Sequence, residues 1–306
     1  MTQTQKPWGG KWTEEKLDAF EKYVKAYLTI MNANRDTYGW KLLYFDGFAG
    51  SGSRTAKEET DEVKGALDLF GKEINPEDFE VYQGAAERVV RIEGQGVRSF
   101  DQYYFVDKRK DNCDALEEKL ASYKTIGKRH HLHLDANDAV RMLGNTLRKY
   151  NGVKALAFLD PFGMQIDWAA IETLKGLSVD LWILVPTGVI INRLLERRID
   201  PEKGFIHADK LESFFGMQQE DIRKFFYRET QVQTLFGDEE TIITKAENSI
   251  RKIAELYVDR LKGVFDNVVE DPLVLYNRQN VPIYHLVFAA KNKIASKIAQ
   301  EIIRKQ

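Results

Sequence analysis

Four aspartates in this 306-residue chain each follow directly on a short apolar or alternating run: Asp46 after WKLLYF, Asp107 after YYFV, Asp135 after HLHL and Asp160 after ALAFL. A buried carboxylate at such a place must find hydrogen-bond donors or water when the chain closes around it. It can also accept two bonds at once, which suits it to sugar hydroxyls or to an amine. Asp46 is followed by Gly47, Phe48, Ala49, Gly50, Ser51 and Gly52. These small residues admit a ligand close to the backbone, and the glycines can take φ > 0. The turn is not the G-x-G-x-x-G fingerprint, since the third glycine is missing and no acid ends a strand about 20 residues on, so a nicotinamide dinucleotide is not expected. Asp160 opens Asp160-Pro161-Phe162-Gly163. Here a carboxylate can accept from a target NH2, proline stiffens the turn, and the phenyl ring can stack on a base taken out of its helix. Each segment also has a plainer reading, a glycine turn in the first case and an Asp-Pro turn opener in the second.

Alternating strands and helices must position these residues. Leu17, Phe20, Val24, Tyr27, Leu28 and Met31 recur at helical spacing and predict an opening helix from Thr13, as N-cap, to about Ala33. Buried strands are expected at Trp40 to Phe45, Tyr103 to Val106, His131 to Leu134, Ala155 to Leu159 and Val179 to Val185. Helices are expected between them at Asn112 to Tyr123, Asp138 to Tyr150 and Ile171 to Leu177. Such near-continuous apolar strands alternating with helices mark a parallel sheet covered on both faces. Residues 53–80 are polar and read as an insertion, and residues 192–262 read as a charge-rich helical subdomain without clear strands, all within one domain spanning 1–306. Asn267 to Tyr276, interrupted at Pro272, and Tyr284 to Ala289 read as an antiparallel pair at the sheet's edge, closed by a helix from Ile294 to Ile303.

In an open parallel sheet, ligands sit beyond the carboxyl ends of the strands, near the point where strand order reverses. That rule selects Asp46 to Gly52, Asp107, Asp135 with Ala136 and Asn137, Asp160 to Gly163, and Pro186 with Thr187. A net charge of -2 excludes a protein that coats nucleic acid through bulk positive charge. Local patches around Lys108, Arg109 and Lys110, or Arg193, Arg197 and Arg198, are still compatible with a nucleic-acid substrate, although each is also an ordinary solvated helix face. The single cysteine, Cys113, cannot form an internal disulfide or a thiolate metal site. His130, His131 and His133 lack an accompanying second ligand group and read as surface histidines, so no metal is expected. No run of eighteen apolar residues and no signal-peptide pattern at MTQTQKPWGG is present, which predicts a cytoplasmic protein without membrane attachment.

D-x-F-A-G-x-G at Asp46 to Gly52 resembles the first motif of class I S-adenosylmethionine-dependent methyltransferases. The resemblance implies a Rossmann-like α/β fold, with a mainly parallel sheet and a terminal antiparallel hairpin. It implies a cofactor site formed by Asp46, Gly47, Phe48, Ala49, Gly50 and Gly52 under the methionine part, Asp107 with Lys108 at the ribose, and Asp135, Ala136 and Asn137 at the adenine. FLDPFG is similar to the D-P-P-Y type motif of exocyclic-amine methyltransferases and closer to the D-P-F-G of tRNA dimethylguanosine methyltransferases. This implies Asp160, Pro161, Phe162 and Gly163 as the catalytic group, with Thr187 and Arg193 toward the substrate. Over most of its length the chain resembles the three-Cys-motif partner protein family, through YFDGFAGSG, YQGAAERVV, FLDPFG, VDLWILVPTGVIINR and YHLVFAAKN. That likeness implies a protein partner carrying the three cysteines; it says nothing of oligomeric state. The long insertion after Gly52 and the loose Gln83-Gly84-Ala85-Ala86 segment depart from the pattern. Methyl transfer to a nucleobase amine, a non-catalytic S-adenosylmethionine-binding subunit or sensor, and a vestigial site beside a docking surface at 192–262 are all compatible with these motifs.

Overall fold

The structure, a computed structural model, describes residues 11–52, 84–92, 97–196, 207–233 and 239–306. The expected insertion at 53–80 lies outside the described residues, as do Arg197 and Arg198. Helix α1 (Lys11–Tyr38) precedes β1 (Lys41–Asp46), and α2 (Ala85–Ile92) precedes β2 (Gln102–Asp107). There follow α3 (Lys110–Leu120), β3 (Lys128–His133), α4 (Ala136–Lys149), β4 (Val153–Leu159), the short α5 (Trp168–Glu172) and β5 (Val179–Val185). Beyond a π-helical turn at Thr187–Ile191 come α6 (Ala208–Phe215), α7 (Gln219–Phe226), β6 (Tyr227–Gln233), β7 (Glu239–Lys245) and α8 (Ser249–Lys262). The chain ends in β8 (Asn267–Val268), β9 (Leu273–Tyr276), β10 (Pro282–Ala290) and α9 (Lys293–Arg304).

The main sheet runs β3-β2-β1-β4-β5-β10-β8, with β9 also paired to β10. Strands β1 to β5 are parallel, and β10 is antiparallel to β5. The chain therefore builds outward in one direction from β1 through β2 and β3, then returns to lay β4 and β5 on the other side. The reversal falls between β1 and β4, where such folds open a crevice. This is a Rossmann-like α/β architecture, with the mainly parallel sheet that the strand and helix alternation implied.

Apolar burial explains the central position of α1. Leu17, Phe20, Val24 and Leu28 fall on one helical face and are essentially sealed from solvent. The Phe20 ring stacks on Phe158 of β4 at 4.2 Å, while Tyr23 meets Trp182 of β5 and Phe288 of β10. Side chains alternate across a strand, so Phe158 and the later Asp160 share a face, as do Tyr44 and Asp46. Both pairs look toward α1.

Three expectations need correction. The opening helix is already formed at Lys11, so Thr13 is a buried residue of its first turns rather than a cap. Residues 192–262 are not all helical, because β6 and β7 form a two-stranded antiparallel hairpin. Six of the seven residues of β6 are exposed, so no buried face marked the strand in the sequence. The antiparallel pair does lie at the sheet's edge as expected: β10 follows β5, and the short β8 and β9 pair with opposite ends of it on either side of Pro272. The helix expected at Ile171 to Leu177 instead spans Trp168–Glu172 and gives way to turns.

Candidate functional site

The first turn is held by backbone bonds to both neighbouring strands. Gly47 N donates to Phe158 O at 3.0 Å and Ala49 N donates to Val106 O at 2.9 Å. A Cβ at Gly47 would stand 2.5 Å from Leu159 Cδ2, so a side chain there would require the leucine to move. Gly50 and Gly52 have φ of 60° and 75°, a region that disfavours side chains. Phe48 is half-buried, whereas Asp46, Ala49, Ser51 and Gly52 are buried.

Asp46 lies wholly inside. Its Oδ1 accepts from Phe48 N at 3.2 Å and its Oδ2 from the Tyr44 hydroxyl at 3.2 Å. Burial pushes its carboxyl up to about 7, the negative charges of Asp160 and Asp107 push the same way, and the two hydrogen bonds only partly oppose them. The Tyr44 phenol is also raised, first by burial and then by Asp46.

Asp107 Oδ1 accepts from Arg109 N at 2.8 Å and from Asn112 Nδ2 at 3.0 Å, so the start of α3 fixes its orientation and Oδ2 is left over. Asp135 caps α4, accepting from Asn137 N at 2.9 Å, and the exposed Lys108 ammonium stands 3.8 Å from its other oxygen. Ala136 is buried at the start of the same helix. Asn137 is fully engaged by the loop after β4: its amide donates to Gln165 O at 2.9 Å and its carbonyl accepts from Asp167 N at 2.8 Å. It thereby ties the Asp135 turn to the Asp160 turn.

After β4, Pro161 and Gly163 are buried and Phe162 is half-exposed. Phe162 N donates to Gln165 Oε1 at 2.9 Å, which closes the loop on itself. The Asp160 carboxylate is met by Lys16 of α1, whose Nζ donates to Oδ2 at 2.6 Å. That lysine side chain is 5% exposed. Trp12, one turn earlier, stacks on Tyr284 of β10 at 5.1 Å, and the Lys16 ammonium sits 5.3 Å from the Trp12 ring.

The two residues expected toward the substrate sit differently. Thr187 is fully buried, and its hydroxyl pairs with His285 Nδ1 at 2.8 Å, joining the π-helical turn to β10. Burial lowers the His285 imidazole to about 4, so the ring is neutral near pH 7. Arg193 is exposed beyond that turn.

The structure thus brings Asp46, Asp107, Asp135 and Asp160 to the carboxyl ends of four adjacent strands. Sequence reasoning missed Lys16, Tyr44 and the Trp12–Tyr284 stack. A lysine beside Leu17 on an apolar helical ridge was the available signal for the first. Of the three histidines of β3, His133 is exposed as expected, whereas His130 stacks on Tyr104 at 4.6 Å and His131 packs at 5.3 Å from Phe105. Among the described residues there is no cluster of three or more histidine, cysteine or acidic side chains placed to hold a metal ion, and no helix long and apolar enough to cross a membrane.

The chain belongs to the class of Rossmann-like α/β proteins by its sheet order and strand-end site. No family model and no curated protein matches the sequence. Among solved structures, it is similar to protein LPL1258 from Legionella pneumophila, assigned to family DUF519, at 13% identity and a TM-score of 0.35, over 82% of this chain and 92% of that one. It is also similar to a conserved hypothetical protein from Streptococcus pyogenes at 14% identity and a TM-score of 0.26, over 69% of this chain and 89% of the other.

Proposed function

We propose that the protein is an S-adenosylmethionine-dependent methyltransferase acting on an exocyclic amine of a nucleobase in DNA or RNA. The observation that carries this reading is the juxtaposition across the sheet's switch point. The glycine turn from Asp46 leaves β1 directly beside Asp160-Pro161-Phe162-Gly163 at the end of β4, and Asp46 and Asp160 look to the same face.

The charge of the strand ends supports such a cofactor. Asp46, Asp107 and Asp160 share one end of the sheet, and Lys16 is the ammonium bound to the last of them. Burial is the main cause of the raised Asp46 carboxyl, the charges of Asp160 and Asp107 add to it against the hydrogen bonds from Phe48 and Tyr44, and a cation placed there would favour the ionised form. When bound, the cofactor supplies an electrophilic methyl group on a positively charged sulfur. Asp107, oriented through Oδ1 by α3, offers Oδ2 to a ribose hydroxyl, and the Asp135 turn borders the adenine. Asp160 Oδ1 accepts one hydrogen of the target amine and so aims the nitrogen lone pair; orientation of this kind lowers the barrier by preorganising the reactants. The half-exposed Phe162 ring offers a stacking face for the base. The Asn137 clamp keeps the two turns in register.

The test is transfer of a labelled methyl group from S-adenosylmethionine to nucleic acid from cells lacking the protein, followed by digestion to nucleosides. Label in an N-methylated base, absent with Asp160→Ala, is the expected result. No transfer to any nucleic-acid pool overturns the reading.

A further inference from the structure

We infer that Lys16 of α1 is a positioning residue for Asp160, so that the first turns of α1 form a wall of the reaction site. This rests on Asp160 being the acceptor of the target amine. The contact joins residues 144 apart in sequence and is a direct 2.6 Å bond from Nζ to Oδ2. Holding an ammonium with only 5% of its side chain exposed is costly: the effective penalty is several kcal/mol per buried ion, which the attraction repays only with good geometry. A leucine or methionine would fill the same place on the α1 ridge between Thr13 and Phe20 at no such cost. The ion pair is therefore poorly explained as a staple between α1 and β4, because the Phe20–Phe158 stack one turn away already performs that task.

What the pair does accomplish is orientation. With Oδ2 engaged by Lys16, the carboxylate cannot rotate freely about its Cβ–Cγ bond, and Oδ1 is the oxygen that remains for an incoming N–H. The lysine is itself restrained on its other side by the Trp12 ring at 5.3 Å, and Trp12 by its stack on Tyr284. Three elements, α1, β4 and β10, thus converge on one carboxylate. The same convergence predicts that a base entering over Phe162 meets α1 as the opposite boundary.

The test uses the full chain with Lys16→Met, Lys16→Arg, Asp160→Asn and the Lys16→Met/Asp160→Asn double variant. Two readouts are taken: methyl transfer, and the side-chain carboxyl 13C resonance of Asp160, assigned by its loss in Asp160→Asn. The expected result for Lys16→Met is a fall in kcat of roughly a hundred-fold, the size of effect a misplacement of about 1 Å can cause, with KM for S-adenosylmethionine unchanged. Lys16→Arg should restore most of the rate, and Lys16→Met should cost nothing further once Asp160 is Asn. A Lys16→Met protein that transfers methyl groups at the wild-type rate overturns the inference while leaving the proposed function standing. If the wild-type protein transfers nothing, the proposed function fails. The inference then falls with it, and the resonance separates the two failures: a shifted Asp160 signal in Lys16→Met leaves the ion pair as a structural contact only, and an unmoved one removes the contact as well.

Discussion

The charge state of Asp46 gives the sharpest expectation. This carboxyl is raised to about 7 chiefly by burial, and then by the charges of Asp160 and Asp107. A cation bound beside it stabilises the ionised form, so cation binding and proton release are linked. If the bound state keeps Asp46 ionised throughout, affinity follows the ionised fraction of the free protein. That fraction is about one-tenth at one pH unit below 7 and about nine-tenths at one unit above, so affinity for S-adenosylmethionine should rise about ten-fold from pH 6 to pH 8, or about 1.4 kcal/mol. S-adenosylhomocysteine, which lacks the sulfonium charge, should show a much flatter dependence. Titration calorimetry at both pH values, in buffers of different ionisation enthalpy, measures affinity and released protons together. Asp46→Asn should remove the slope for S-adenosylmethionine. Equal slopes for the two ligands, or a rise that survives in Asp46→Asn, would refute the reasoning.

Two further expectations concern the scaffold. Asp180, half-buried at the start of β5 and accepting from the Tyr23 hydroxyl at 2.7 Å, is raised by desolvation to about 6. A carboxyl whose folded value lies above its unfolded one loses stability as pH rises from about 4 through about 6, so chemical denaturation should show Asp180→Asn gaining on the wild type by roughly 2 kcal/mol at pH 8 relative to pH 4; parallel profiles would contradict this. Phe20→Ala empties the place between Phe158, Tyr44 and Trp182 and should cost about 3–5 kcal/mol in the same assay, whereas a loss below about 1 kcal/mol would mean that α1 does not dock as described.

The parts of the site legible in the sequence are those fixed by local chemistry. Strand β4 ends in a continuous apolar run, Ala155 to Leu159, so its end and hence Asp160 could be located, and the glycines at 50 and 52 mark a turn whose backbone disfavours a side chain. The parts that could not be read depend on distant partners. Lys16 acquires its meaning only when α1 crosses the end of β4, and Thr187 becomes buried only because β10 inserts beside β5 and presents His285. Strand β6 of the hairpin escaped notice because six of its seven residues are exposed, which erases the alternation that reveals a half-buried strand. Asn137 illustrates an intermediate case. Its position near a strand end was readable, but its two hydrogen bonds to the loop after β4 were not.

Everything proposed about the reaction depends on the cofactor held by the ends of β1 to β4. The most direct measurement is native mass spectrometry of the full-length protein as purified, and again after addition of S-adenosylmethionine. A one-to-one complex with S-adenosylmethionine or S-adenosylhomocysteine, weakened in Asp107→Ala, is the expected result. A protein that binds neither molecule, or that binds them equally well without the Asp107 carboxylate, would contradict the account.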